Sequence, residues 1–204
     1  RTWLETEKVL KGVGFNEYFK TLIEFKALED TYPDLTGLDV DFFSHPIIQK
    51  AAYEDHSKQF RFASIFYALI KEGKKNAKDK LESMQKNMRF ANAYKDMPML
   101  LINSVELIQS DLSKYSAEHL LTILEKLDAL RQPNNLEEIL NLLMLDADDN
   151  FIQKKNLLQL SLGLVKNIKV NNLKESGLEG SEIARKIREI RLMAIKKEIE
   201  NPNI

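Results

Sequence analysis

Apolar residues recur at spacings of three and four along almost the whole chain. Such spacing places side chains on one face of an α-helix, as in helices that pack on a core. Two of these sets are Leu120, Ile123, Leu124, Leu127 and Leu130, and Leu136, Ile139, Leu140 and Leu143. Glycine and proline, which interrupt helices, number only 7 and 5. The pattern predicts an all-α protein, built from helical hairpins in series that form an elongated body and tail.

Breaking and capping residues predict where the helices end. Gly12 and Gly14 end the first helix, and Asn16 can cap a second that runs to Leu28. Residues 33–46 resemble a loop with Phe42 and Phe43 as apolar anchors. Met97-Pro98 is expected to break the chain, because proline lacks the amide donor that a helix interior needs.

The same signals divide the C-terminal half of the chain. Ser116 is a predicted N-cap, and Pro133 ends the helix that follows it. Asn135 with Glu138 resembles a capping box that opens the next helix. Ser181 is expected to cap the last helix, in which one face carries Ile183, Ile187, Ile190 and Ala194.

Composition excludes several classes of function. The 204 residues are 44% hydrophobic and can bury a substantial core, while a net charge of -1 gives no overall basic field that would attract nucleic acid. The absence of cysteine excludes disulfides, zinc fingers and thiol catalysis. No apolar run approaches the roughly 18 residues of a membrane span. We therefore expect a cytoplasmic protein without a membrane partner, and the start at Arg1, already inside an apparent helix, indicates a fragment.

The titratable clusters do not predict a metal site. Asp146, Asp148 and Asn150 begin like a calcium loop, but Phe151 and Leu157 stand where that loop needs glycine and glutamate. The three histidines, His45, His56 and His119, lack metal-ligand spacing. We expect no metal ligands and no catalytic residues in this chain, and interpret the acidic cluster as a solvated helix end.

Charge is unevenly distributed along the chain. Residues 117–150 have a balance of -6, whereas residues 154–204 have a balance of +5. Arg185, Arg188 and Lys196 lie away from the isoleucine face of the last helix, and the Gly180 and Ser181 amides precede or open that helix. Such a helix N-terminus with nearby cations can bind phosphate, so these five residues are candidate RNA-binding residues. An ordinary solvated surface and a flexible capping turn would give the same pattern.

Several short motifs, in order and at similar spacing, resemble the C-terminal half of a bacterial CCA-adding tRNA nucleotidyltransferase, within the wider poly(A) polymerase family. The resemblance is weakest between about residues 36 and 115. The motifs are Arg1-Thr2-Trp3-Leu4-Glu5-Thr6-Glu7, Ala27-Leu28, Tyr32-Pro33-Asp34-Leu35, Leu127-Asp128-Ala129-Leu130-Arg131-Gln132-Pro133, Ala147-Asp148 and Gly177-Leu178-Glu179-Gly180-Ser181-Glu182-Ile183.

The resemblance implies a division of labour. The motifs of the family's catalytic head do not occur in the chain, so the parent's chemistry, with Mg²⁺, CTP and ATP, would belong to an N-terminal head domain of the same polypeptide. Residues 1–35 would end the neck, 36–115 form the body and 116–204 form an RNA-binding tail. Arg1 and Glu5 match the last neck motif and would support it structurally. The implied partner is the acceptor-T stem of tRNA, although related poly(A) polymerases leave the parent's product open.

Some members of that family carry a metal-dependent HD phosphohydrolase domain in the body. Residues 61–71 occupy the corresponding place, but Tyr67 and Ala68 stand where the His-Asp pair would be. We therefore predict no phosphohydrolase activity. Two alternatives to RNA binding remain, a stand-alone helical protein-interaction module and a degenerate HD-type phosphohydrolase.

Overall fold

The computed structural model describes residues 2–74, 76–166, 168 and 180–200. Within these residues all regular secondary structure is helical, with short 3₁₀ turns at Pro33–Leu35 and Leu112–Lys114 and no strand. This confirms the all-α fold class. The α-helices are α1 (Thr2–Val9), α2 (Phe15–Glu24), α3 (Leu28–Thr31), α4 (Val40–Phe43), α5 (Pro46–Tyr53), α6 (Lys58–Lys71), α7 (Ala77–Met88), α8 (Asn92–Gln109), α9 (Ala117–Lys126), α10 (Asn134–Met144), α11 (Phe151–Lys166) and α12 (Gly180–Glu200).

The chain divides into two compact units. Unit 1 contains residues 1–103 and 138–146, and unit 2 contains residues 104–137 and 147–204. These units are defined by packing alone. The functional regions expected from the resemblance, 1–35, 36–115 and 116–204, therefore stay a prediction.

Aromatic side chains form much of the core of unit 1. The Phe19 and Phe43 rings are stacked with their centroids 4.8 Å apart, and Phe42 meets Phe43 edge to face at 5.1 Å. Phe42 and Phe43 are both buried, which confirms them as anchors. The chain around them is less irregular than expected, because Asp39 caps the single turn of α4 by accepting a hydrogen bond from the Phe42 amide.

Arg61 on α6 is a buried cation whose hydrogen bonds all go to backbone carbonyls. Its Nη1 donates to the carbonyls of Leu10 and Lys11, at 3.1 and 3.0 Å, just after α1. Its Nε and Nη2 donate to Ala51 and Glu54, at 3.1 and 2.9 Å, where α5 ends. The last carbonyls of a helix lack intrahelical donors and carry partial negative charge, so one guanidinium satisfies two helix ends.

Two lysines attach residues 138–146 to the rest of unit 1. Lys50 on α5 donates from Nζ to the carbonyl of Leu145 at 2.6 Å. Lys71 at the end of α6 forms an ion pair with Asp146 at 2.7 Å. Both contacts lie just after the last turn of α10, where a cation is favourable because of the helix dipole.

Unit 2 is organised around α9, which contacts α11 and α12. The Ser116 hydroxyl accepts a hydrogen bond from the His119 amide at 3.3 Å, so the predicted N-cap of α9 is confirmed. The expectation that Pro133 ends this helix is wrong, because α9 ends at Lys126, seven residues before the proline, and Asp128 has a positive φ of 51°. In the segment before α9, the Tyr115 hydroxyl donates to the Ile108 carbonyl at 2.5 Å, and burial raises the pKa of this phenol.

The second helix starts and ends differently from the prediction. Asn16 is not its N-cap but a fully buried residue within α2, and its amide nitrogen donates to Glu17 Oε1 at 2.9 Å. Gly14 precedes the helix instead, with a φ of 76° that glycine adopts without steric cost, and its amide donates to the Ala52 carbonyl. The helix stops at Glu24 because Lys26 has a positive φ of 56°, and α3 then begins separately at Leu28.

Pro98 was expected to break the chain but lies inside α8. A proline in a helix interior costs about 3 kcal/mol. The apolar positions Tyr94, Leu101, Val105 and Ile108 keep helical spacing and are all buried. Burying one such side chain stabilises by roughly 1.5–3 kcal/mol, so several together outweigh the proline penalty.

The capping box expected at Asn135 is also wrong. Asn135 lies within the first turn of α10, which begins at Asn134, and its side-chain amide donates back to the Leu127 carbonyl at 2.8 Å. That contact satisfies an orphan carbonyl at the end of α9, a task the local sequence signal does not reveal. The predicted inward residues of α10 are nevertheless buried, namely Leu136, Ile139, Leu140 and Leu143.

Replacing Arg61 tests the first of these contacts. Arg61→Met leaves the four carbonyls without their donor, and an unsatisfied buried polar group costs roughly 1–3 kcal/mol. We expect the free energy of unfolding of unit 1 to fall by about 3 kcal/mol or more, measured by urea denaturation followed by tryptophan fluorescence, since Trp3 lies in unit 1. Arg131→Met, at an exposed arginine paired with Asp128, is the matched control and should change little. Equal midpoints for both variants would contradict the assignment.

Candidate nucleic-acid interface

The last described helix, α12, has the highest proportion of charged residues among the helices of unit 2. Its 21 residues include six basic and four acidic side chains, and a helix of that length extends about 32 Å. The basic residues are Arg185, Lys186, Arg188, Arg191, Lys196 and Lys197. Arg185, Lys196 and Lys197 are exposed, whereas Lys186, Arg188 and Arg191 are half-buried. Exposed cations on a rigid helix are suited to contact phosphates at fixed separations.

One buried residue, Ile195, marks the side of α12 that packs against unit 2. It is fully buried, and α12 contacts both α9 and α11. The isoleucine face expected from the sequence lies about a third of a turn away and is only partly covered, with Ile190 40% exposed. Met193 is also exposed. The helix therefore packs through a narrower strip than its apolar pattern indicates.

Gly180 and Ser181, two of the predicted phosphate-binding residues, are the first two residues of α12 and are exposed. Ser181 lies inside the helix, so the expectation that it caps α12 is wrong. The motif residues 177–179 that precede them lie outside the described residues. Gly180 and Ser181 lie in the first turn of α12, where the backbone amides have no acceptor within the helix.

Arg185 and Lys196 lie on one face of α12 and are both exposed. Eleven residues separate them, which is close to three helical turns and about 16 Å along the axis. Arg185 pairs with Glu189 one turn later, at 3.0 Å. Exposed ion pairs of this kind are weak, so a phosphate can compete for the guanidinium.

Arg188 is held differently, because it connects α12 to α9. Its Nη2 donates to Glu118 Oε1 at 2.5 Å, and its Nε donates to Glu125 Oε1 and Oε2, at 3.0 and 3.2 Å. The pKa of Arg188 is raised from its ordinary value, chiefly by the hydrogen bond to Glu118. Its side chain is 37% exposed, so an anion in solution can still reach it.

Glu118 and Glu125 are part of the site, although sequence reasoning did not select them. They are seven residues apart on α9, so both side chains lie on the same face of that helix. The sequence did contain a weak indication of this contact: residues 117–150 have a net charge of -6, and the C-terminal region that follows them is basic. That signal indicates attraction between the two regions but does not identify the pair.

An apolar groove lies beside these charged residues. It has a volume of about 360 Å³ and is lined by residues of the first turn of α9 and the second half of α12. The lining residues are Ser116, Ala117, Glu118, Leu192, Met193, Lys196 and Ile199. The groove thus adjoins Lys196 and the Glu118 carboxylate that binds Arg188.

Of the two neck residues that the resemblance names, Arg1 and Glu5, the structure describes only Glu5. Glu5 lies on α1, is 55% exposed at its side chain and forms an ion pair with Lys8 at 3.0 Å. Arg1 lies outside the described residues. The neighbouring Trp3 is buried against the rings of Phe62, Phe90 and Tyr94, with centroids 5.4, 4.4 and 4.8 Å away. The supporting role of Arg1 and Glu5 stays a prediction.

The positions that would hold an HD metal pair are in the core. Tyr67 and Ala68 on α6 are both fully buried. The histidines have local roles instead: His45 caps α5 by accepting from the Ile47 amide, His56 stacks on Phe60, and His119 contacts the Leu107 carbonyl. Across the described ranges, no group of three His, Asp or Glu side chains is placed to hold a metal ion.

The acidic end that resembles a calcium loop is exposed. Asp146, Asp148, Asp149 and Asn150 all lie at the surface, and Asp146 is paired with Lys71. This geometry agrees with a solvated helix end. In the part of the chain that the structure describes, no helix is both long and apolar enough to cross a membrane.

The fold and charges define a helical protein whose last described helix is basic, and comparison with known proteins shows similarity to a CCA protein. No family model matches the chain, and no solved structure matches it. The chain is 22% identical to the multifunctional CCA protein of Mannheimia succiniciproducens, over 96% of this chain and 55% of that protein. It therefore spans about half the length of this relative. The similarity supports a relationship to CCA-adding enzymes without showing which part of such an enzyme the chain corresponds to.

The packing of α12 gives a direct prediction. Ile195→Ala removes the buried contact of the helix and should destabilise its packing by about 2–4 kcal/mol. Amide hydrogen exchange in α12 should then accelerate, while exchange in α5 and α6 of unit 1 stays unchanged. Met193→Ala, at an exposed position of the same helix, is the control and should preserve protection. If the two variants exchange at the same rate, Ile195 does not attach α12.

Proposed function

We propose that this chain is the tRNA-binding C-terminal part of a CCA-adding enzyme, containing the end of the neck, the body and the tail. An N-terminal head domain of the same polypeptide would add CCA to the tRNA 3′ end, with CTP, ATP and Mg²⁺, in the cytoplasm. The observation that carries the proposal is the pair of exposed cations Arg185 and Lys196 on one face of α12, a helix anchored by Ile195. The ordered motifs and the similarity to a multifunctional CCA protein favour tRNA as the RNA.

The proposed ligand is double-helical RNA, bound through its backbone. A-form helices present phosphates and 2′-hydroxyls more accessibly than base edges, so a protein can bind an acceptor-T stem without reading its sequence. Arg185 and Lys196, about 16 Å apart on one face, can each contact a phosphate. Arg188 and the Gly180 and Ser181 amides are the further candidate contacts, and Arg1 and Glu5 would support the neck.

The two alternatives have different support. The apolar groove beside Lys196 fits a helical protein-interaction module, because an apolar surface of this kind can accept a partner's side chains. A phosphohydrolase would need ligands at positions 67 and 68, where buried Tyr67 and Ala68 provide neither a carboxylate nor an imidazole. RNA binding accounts for the charge of α12, which the groove alone does not.

Charge reversal on α12 tests the proposal. We expect Arg185→Glu with Lys196→Glu to weaken binding of a tRNA acceptor-T stem hairpin roughly tenfold or more, since two phosphate contacts are lost. The negative slope of log K against log salt should become shallower by about two, because two phosphate contacts are lost. Fluorescence anisotropy at several salt concentrations measures both quantities.

The matched control is Lys78→Glu with Lys86→Glu, two exposed lysines of α7 in unit 1. It changes the net charge by the same amount and should leave affinity and slope close to those of the unaltered chain. An α12 variant that binds as tightly as the control would refute the role of α12. A chain that binds no tRNA stem at all would overturn the proposed function and favour a protein partner.

A further inference from the structure

Arg188 is the one arginine of the five candidate residues that is held by another helix. Two N–H groups of its guanidinium are directed at the carboxylates of Glu118 and Glu125. All three side chains remain accessible, at 37% for Arg188, 58% for Glu118 and 35% for Glu125. The cluster is therefore a surface ion-pair triad with two negative charges and one positive charge.

We infer that Glu118 and Glu125 compete with RNA phosphates for Arg188, so that these two carboxylates lower the affinity of α12 for RNA and raise the requirement for a correctly placed phosphate. This inference rests on the proposed function, and it adds the role of two acidic residues that the function itself does not require.

The geometry of the triad supports competition. A guanidinium binds carboxylate and phosphate oxygens through the same planar arrangement of N–H donors. Glu125 and Glu118 together occupy the Nε–Nη2 edge of the guanidinium, one of the two edges through which an arginine can bind a phosphate bidentately. A phosphate that approaches without displacing them meets a cluster whose net charge is negative.

The exchange is feasible because the existing pairs are exposed. Solvent screens surface ion pairs, and holding two long side chains in one geometry costs conformational entropy, so such pairs contribute little to stability. A duplex already bound at Arg185 and Lys196 holds a neighbouring phosphate close to Arg188, and this proximity favours displacement. An isolated anion lacks the two outer contacts and gains little.

The competition acts on specificity as well as on affinity. A ligand must provide phosphates at the spacing of Arg185, Arg188 and Lys196 before the carboxylates are displaced. Specificity that arises from a repulsive group directed at wrong partners is common at charged interfaces. Glu118 and Glu125 would provide that repulsion against single-stranded or irregular RNA.

The test removes the two charges and keeps the shape of the side chains. We expect Glu118→Gln with Glu125→Gln to raise affinity for the acceptor-T stem hairpin about five- to tenfold and to steepen the salt slope by up to about one, because the phosphate contact of Arg188 then forms without competition from the carboxylates. Affinity for a single-stranded RNA of equal length should rise by a larger factor. The control variant is Glu24→Gln with Glu82→Gln, which removes two exposed carboxylates from unit 1.

A double-mutant cycle separates competition from a general charge effect. Arg188→Gln should lower affinity more in the Glu118→Gln/Glu125→Gln background than in the unaltered chain, since only there does the guanidinium bind phosphate without first displacing two carboxylates. Equal losses in both backgrounds would overturn the inference, as would an unchanged affinity in the double glutamine variant.

Two further measurements keep the outcomes distinguishable. Hydrogen exchange in α12 checks that the helix stays attached, and if the double variant loosens it, Glu125→Gln alone should still raise affinity and steepen the slope. If no variant binds the RNA hairpin, the proposed function fails. If Arg185→Glu with Lys196→Glu weakens binding while the glutamine variants change nothing, the inference alone fails.

Discussion

The buried guanidinium of Arg61 is the contact on which unit 1 most depends. It joins the segment after α1, the end of α5 and the body of α6 through four carbonyl oxygens. A lysine cannot reproduce this arrangement, because its single ammonium group cannot reach two helix ends with a planar set of donors. The next residue of α6, Phe62, meets Trp3 of α1 edge to face, so α6 contacts α1 and the segment after it through two consecutive residues.

Sequence periodicity predicted the helical class, the burial of Phe42 and Phe43 and the cap at Ser116, because these features depend on local spacing and local hydrogen bonds. It failed at Asn16, Pro98 and Asn135. At each of these positions tertiary contacts override the local preference. Asn16 is buried in α2, and α8 continues through Pro98 because the apolar face of that helix is buried. Local signals describe what a residue favours alone, whereas packing decides its final place.

The candidate site was only partly predictable for a similar reason. A helical wheel places Arg185, Arg188 and Lys196 away from the isoleucines, but all three look equivalent in sequence. The structure distinguishes them, since Arg188 is bound by Glu118 and Glu125 from α9, more than sixty positions earlier. No local pattern reports contacts at that separation. The side of α12 that packs, centred on Ile195, was missed because the isoleucine face is more apolar on average.

The attachment of Leu145 and Asp146 through Lys50 and Lys71 has a consequence for biosynthesis. Because residues 138–146 belong to unit 1, that unit is discontinuous in the chain, and residues 104–137 leave the ribosome before its last piece. Unit 1 therefore cannot complete its core during translation until α10 has emerged. Conversely, a truncation between residues 115 and 116, at the boundary expected between body and tail, removes an integral helix from unit 1 and exposes the apolar surface it covers.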